Sequence, residues 1–185
     1  MDKLHQLQSA LCADPARLRV LRLVRDLCLP DCWVGAGLVR SAIWDMQHGR
    51  PFSPLPSDID VIWFDETLLD PAVDNLIEAN LCRLAPSLNW SVKNQARMHV
   101  RNDDPPYCCA TSAMEAWPET ATAVAVRLGK DEVIEVAAPF GLDDLFNLVV
   151  RPTSRFEVEK KALYLDRIRS KNWAAVWPSL HIIDA

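Results

Sequence analysis

Leu4, Leu7 and Leu11, and then Leu18, Leu21, Val24 and Leu27, recur at the three- and four-residue spacing of a single helix face. That pattern predicts two helices before Pro30, with Asp14 capping the second and Pro15 in its first turn. Beyond Pro30 the period changes. Trp33-Val34 opens a short strand, Gly35-Ala36-Gly37 is a tight turn, and Leu38 to Gln47 returns to helical spacing until Gly49. Pro51, Pro54 and Pro56 make the stretch from Arg50 to Ser57 a loop. Asp58 to Phe64 is rich in branched and aromatic residues and reads as a strand. Asp70 caps a helix from Pro71 to Leu84. Trp90 to Val100 alternates as a strand, and Arg101 to Pro106 is a polar loop. Thr120 to Leu128 and Glu132 to Ala138 read as strands joined by a hairpin at Gly129-Lys130-Asp131. Leu142 to Leu148, Arg155 to Lys171 and Trp173 to Trp177 read as helices. The order predicts an α/β (α+β) domain, a small mixed β-sheet packed with helices. Its core would span 30–150, between helical ends at 1–29 and 151–185.

A chain of 185 residues suits one such domain. At 50% hydrophobic and 24% charged residues the composition is that of an ordinary globular protein. Arg17, Arg19, Arg22 and Arg25 interrupt the leucines near the start, so no signal-peptide core forms. No apolar run approaches the ~18 residues of a membrane span. The expected location is cytoplasmic, with no membrane partner. A formal net charge of -5 disfavours a long nucleic acid as main partner, because phosphate contacts dominate such binding. A nucleotide needs only a local basic patch. None of the six cysteines forms a CxxC pair and no histidine cluster accompanies them, which favours reduced thiols over a zinc site.

The candidate chemistry begins at Asp58 and Asp60. Residues two apart in a strand share a face, so two carboxylates sit side by side and repel. A hard divalent cation with oxygen ligands relieves that repulsion, and Mg²⁺ (or Mn²⁺) also gathers phosphate oxygens. Gly35 and Gly37 flank a turn that opens a helix, where backbone N–H groups face an anion. Arg40 lies one turn further on.

Gly35-Ala36-Gly37 followed by Ser57-Asp58-Ile59-Asp60-Val61 resembles the signature of the DNA polymerase beta-like nucleotidyltransferase superfamily. That signature is a glycine turn, a helix, then Asp-x-Asp in the next strand. The long gap between the two parts is similar to that of lincosamide-type antibiotic nucleotidyltransferases. More closely, the chain resembles a family of small bacterial nucleotidyltransferase-like proteins of unknown substrate. The matching segments are Trp33 to Asp45, Asp58 to Asp65, Val92 to His99, Trp117 to Thr120, Ala138 to Asp144 and Trp173 to Trp177.

The resemblance implies transfer of a nucleoside monophosphate from a nucleoside triphosphate to a small-molecule or protein acceptor. Asp58 and Asp60 would hold the metal, and Gly35, Ala36, Gly37 and Arg40 would meet phosphate. Lys93 and Arg97, with His99, share one face of the expected 90–100 strand and would help. Two departures from the superfamily stand out. Ala36 occupies a place where the superfamily often has glycine or serine, so a hydroxyl contact is missing. A third carboxylate is expected from a later strand, and Glu135 is the best strand candidate, with Asp143 and Asp144 as alternatives. Trp44 and Trp63 could stack on a base, whereas Trp173 and Trp177, four apart, read as core. The Lys160, Lys161, Arg167, Arg169, Lys171 cluster reads as a solvated helix face. Two other function classes compete: a non-catalytic nucleotide- or partner-binding module, and a metal-dependent phosphohydrolase that uses water as acceptor.

Overall fold

The structure, a computed structural model, describes residues 2–184. Helices α1 (Lys3–Cys12) and α2 (Pro15–Arg25) lead into strand β1 (Trp33–Gly35) and helix α3 (Gly37–Gln47). Strand β2 (Ile59–Trp63), helix α4 (Pro71–Leu84) and strand β3 (Trp90–Asn94) follow. A 3₁₀ turn then runs into the short helices α5 (Met98–Asn102) and α6 (Ala110–Met114). A second 3₁₀ turn (Thr120–Thr122) precedes strands β4 (Ala125–Leu128) and β5 (Ile134–Ala137). The remaining elements are α7 (Asp143–Phe146), β6 (Val149–Val150), α8 (Ser154–Glu157), α9 (Lys161–Lys171), α10 (Trp173–Val176) and β7 (His181–Ile182).

The main sheet has the order β3-β2-β1-β4-β5. Only β2 and β3 run parallel, joined through α4; the other pairs are antiparallel. Its two faces differ because side chains alternate along each strand. One face carries Val34, Val61, Val92 and Val126, which pack with Leu7, Leu21, Leu38, Ile43 and Leu81 of the helices in the principal core. Trp173 and Trp177 from the chain's last helix join that same core. The other face carries Trp33, Ile62, Ala125 and Ala137 beneath Ala110 and Met114 of α6. It is only partly covered, and Asp60, Ser91 and Lys93 lie at its open end.

Local signals account for most boundaries. Asp14 and Asp70 accept hydrogen bonds from the first turns of α2 and α4 as expected caps, and Asp2 does the same for α1. The β4–β5 hairpin turns at Gly129, whose N–H donates to the Val133 carbonyl at 2.8 Å. The expected strand from Trp90 to Val100 stops at Asn94. There the Asn94 side chain accepts from the Ala96 and Asp65 N–H groups and donates to the Asp65 and Leu68 carbonyls. Such local bonds compete with a ladder, so the chain curls into a helix instead of continuing. The expected strand from Thr120 likewise shortens to β4, and the expected helix from Arg155 to Lys171 divides into α8 and α9.

Arg17 fastens these parts together. It is fully buried and donates to the Leu38, Ser53 and Pro54 carbonyls and to the Ser41 and Ser53 hydroxyls, besides pairing with Asp14. One side chain thereby joins α2, α3 and the proline loop that delivers Asp58. Among the described residues no helix is long and apolar enough to cross a membrane.

Candidate active site

The turn from β1 into α3 is tightly held. Ala36 adopts φ 28° and ψ -88°, and its N–H donates to the Val124 carbonyl at 2.9 Å. Ala36 has no side chain that can cap α3, and no side-chain acceptor for the first N–H groups of this helix is seen among the described residues. A β-carbon at Gly35 would sit 2.9 Å from the Trp117 ring, so this glycine makes room for an indole. A β-carbon at Gly37 would lie 3.3 Å from Pro56 and 3.8 Å from an Arg40 guanidinium nitrogen. Arg40 therefore folds back toward the start of its own helix.

Asp58 ends the proline loop and Asp60 is the second residue of β2. Asp60 is half-buried and pairs in register with Ser91 of β3. Burial raises the Asp60 carboxyl above its ordinary range, and the charge of Asp58 raises it further, while a hydrogen bond from Ser91 and the charges of Lys171 and Arg40 oppose the rise. Arg40 is lowered to about 10, first by burial and then by the charge of Arg167, against Glu119, Asp58 and Asp60. Its Nε is buried with no hydrogen-bond partner among the described residues.

Each acid lines a cleft of its own. One, of about 510 Å³, is lined by Ala36, Asp60, Ser91, Lys93, Trp117 and Arg167. The other, of about 320 Å³, is lined by Arg40, Pro56, Asp58, Lys171, Trp173 and Trp177. Asp60 thus faces one cleft and Asp58 the other.

The structure brings Asp58, Asp60, Ala36, Gly37, Arg40 and Lys93 into this neighbourhood, with Gly35 beneath Trp117. It does not bring Arg97, which is beyond the end of β3 and ion-paired with the buried Asp74 of α4. His99 bonds the Ala96 carbonyl through Nδ1 and meets Tyr107 edge-on. Glu135 shares the open face of the sheet with Asp60, but stands three strands away from β2, roughly 14 Å by strand spacing. It is exposed and paired with Arg127 at 2.6 Å. Asp143 pairs with Lys3, and Asp144 with Arg151 and Thr120. Trp44 and Trp63 are fully buried and offer no face to a base.

Other residues take the vacated places. Ser91 lies beside Asp60, on the polar face that the alternation of β3 gives it together with Lys93. Arg167 lines the larger cleft and donates through Nε to the buried Glu119 at 2.6 Å, while Glu119 also accepts from Thr122. Nothing in the local pattern of α9 separates Arg167 from the solvated residues around it.

Asp58 and Asp60 fit a divalent cation of the Mg²⁺ type, which takes one or two carboxylates and completes its shell with water and substrate phosphates. No group of three or more His, Cys, Asp or Glu suited to a metal occurs among the described residues.

A family model described as Nucleotidyltransferase matches residues 22–182. A solved structure described as an NMR structure revealing a CCA-adding enzyme head domain is 35% identical, with a TM-score of 0.86 over 98% of this chain and 96% of that one. The Thermotoga maritima CCA-adding enzyme complexed with tRNA is 16% identical, with a TM-score of 0.61 over 97% of this chain and 42% of its own. A CCA-adding enzyme complexed with ATP is 18% identical, with a TM-score of 0.55 over 90% of this chain and 41% of its own. The chain therefore spans about two-fifths of these last two proteins. No curated protein sequence matches it.

Proposed function

Because the chain belongs to the nucleotidyltransferase family, we propose that it transfers a nucleoside monophosphate from a nucleoside triphosphate to an acceptor hydroxyl or phosphate. An acceptor oxygen attacks the α-phosphorus, the bond from that phosphorus to the bridging oxygen breaks, and pyrophosphate leaves. The acceptor proton passes to solvent. The observation that carries this reading is the position of Asp58 and Asp60, each lining a cleft, near a helix start without a side-chain cap and an arginine with an unpartnered Nε among the described residues.

Asp58 and Asp60 would hold the divalent cation that nucleotidyltransferases generally use. When bound, that ion supplies charge neutralisation for the triphosphate. Lys93 places a point charge on the wall of the larger cleft, and Arg40 aims its guanidinium at the start of α3, where the helix dipole also favours an anion. Trp117 shields Gly35 and forms another part of that wall. Ser91 orients the Asp60 carboxylate through its hydrogen bond. Related folds solved with ATP and with CTP support a nucleoside triphosphate as donor.

The test is pyrophosphate release from ATP, CTP, GTP and UTP, supplied with candidate acceptors that include small hydroxylated metabolites, proteins and a tRNA 3′ end. Wild type releases pyrophosphate with at least one pair. Asp60→Asn, which keeps the shape and the Ser91 contact, abolishes release while the thermal midpoint holds. Full activity in that variant would sink the mechanism.

One observation favours a second reading. The absence of a third acid at the pair among the described residues, together with Ala36, suits a module that binds nucleotide without turning it over. That module binds nucleotide, releases no pyrophosphate with any acceptor, and keeps its affinity when the divalent cation is chelated.

A further inference from the structure

Two guanidiniums from distant parts of the chain lie over one indole. The Arg40 guanidinium carbon is 4.9 Å from the Trp173 ring centroid, and that of Arg167 is 5.6 Å from the same centroid. Arg40 comes from α3 and lines the cleft of Asp58, whereas Arg167 comes from α9 and lines the cleft of Asp60. Their shared ring therefore joins one arginine from the lining of each acid's cleft.

The ring itself is locked. Trp173 is buried and meets Trp44 of α3 edge-to-face, with centroids 5.5 Å apart at 76°. Trp177, one turn further, meets Trp44 in the same manner at 5.1 Å and donates through Nε1 to the buried Asp45 at 2.7 Å. Ser53 and Arg50 also bond Asp45, so the last helix is anchored to α3 and to the proline loop at once.

Both guanidiniums are attracted to the negative face of the indole, yet they repel each other. Glu119 compensates Arg167 through a direct ion pair. Arg40 has no such partner, and its Nε donates to no acceptor among the described residues. An anion reaching both arginines offsets that repulsion.

We propose that Arg40 and Arg167, held against the Trp173 ring, form a clamp for the β- and γ-phosphates of the donor nucleotide, with Trp173 as its positioning residue. Guanidinium suits this task because its flat fork stacks on the ring and still presents N–H groups to phosphate oxygens. The inference rests on the transferase reading for the identity of the donor. It deepens that reading by giving the chain's C-terminal helix a role at the site.

The probe is inorganic tripolyphosphate, titrated calorimetrically into the full chain, with ATP and AMP alongside. Trp173→Leu removes the ring and weakens tripolyphosphate at least about tenfold, whereas Trp173→Phe keeps a ring and stays within about threefold of wild type. Arg167→Lys keeps the charge facing Glu119 but loses the stacking fork, and weakens tripolyphosphate about fivefold. AMP affinity is unchanged throughout. Should Trp173→Leu fail to fold, Trp173→Phe and Arg167→Lys carry the test. Wild-type affinity in folded Trp173→Leu or in Arg167→Lys, or a Phe variant as weak as the Leu variant, overturns the clamp. So does an equal loss for AMP. Because tripolyphosphate binding requires no turnover, the clamp can stand even if no acceptor ever yields pyrophosphate. It can also fail while Asp60→Asn still abolishes transfer.

Discussion

Arg17→Met tests how far one buried side chain organises the approach to the site. The substitution keeps most of the aliphatic volume and removes the guanidinium. In the native protein that group is fully buried and serves Leu38, Ser41, Ser53 and Pro54, besides its ion pair with Asp14. Removing it leaves the Ser53 and Pro54 carbonyls short of a donor, and each unsatisfied buried acceptor costs about 1–3 kcal/mol. Asp14 loses its counter-charge but stays partly exposed and keeps the Ala16 and Arg17 N–H groups, so its own loss is small. The total expected is about 3–5 kcal/mol, the range for breaking a buried pair from one side. With a urea m-value near the upper part of the ~1–3 kcal/mol/M range for a domain of this size, the midpoint falls by roughly 1–2 M at unchanged m. Urea unfolding followed by far-UV circular dichroism measures it. Arg17→Lys should fall between, because one ammonium cannot reach all these acceptors. A loss below about 1 kcal/mol for Arg17→Met would refute the reasoning, since it would mean that water or a shifted loop replaces every contact without cost.

Gly35→Ala places a β-carbon 2.9 Å from the Trp117 ring. It should cost about 1–3 kcal/mol as an overpacked site, and weaken nucleotide binding because Trp117 lines the larger cleft; unchanged calorimetric affinity and thermal midpoint would contradict it. Asp74→Ala removes the acceptor shared by Trp63 Nε1, the Asn94 N–H and Arg97, and should cost about 3–5 kcal/mol by chemical denaturation. The Cys32 thiol is pushed from 9.0 to about 12, chiefly by burial and then by Asp31. At pH 8 iodoacetamide should modify exposed Cys12, Cys28, Cys82 and Cys108 while sparing Cys32, as peptide mass mapping will show. A raised thiol pKa stabilises the fold fully below the unfolded value, and that contribution is lost as pH climbs from about 9 through about 12. Cys32→Ala should flatten the decline of stability in that window, and an unaltered profile would rule the linkage out.

Much of this protein is written in local pattern. Capping aspartates, helical leucine spacing and the hairpin glycine are short-range devices, so Asp14, Asp70 and Gly129 mark their element ends without knowledge of the fold. The glycine turn and the two-residue spacing of Asp58 and Asp60 are equally local, but Asp58 falls just before β2 and lines a different cleft from Asp60. Tertiary structure decided what the local pattern leaves open. Alternation from Trp90 to Val100 fits a strand, but Asn94 finds partners on the chain segment 65–68 that no window around it contains, and the strand ends. Glu135 is a strand acid on the same open face as Asp60, but strand order β3-β2-β1-β4-β5 puts it across the sheet. Arg167 and Trp173 carry opposite surprises. One was indistinguishable from a solvated helix face and the other from core, yet they meet Arg40 because α9 and α10 return to α3. Sequence alone determined helices α1 to α4, strands β1 and β2 and the closeness of the two acids, since these arise from bonds and periods a few residues long. Which other charges stand beside that pair depends on the sheet order and on the docking of the last helices, and those are set by the burial of the whole apolar surface together.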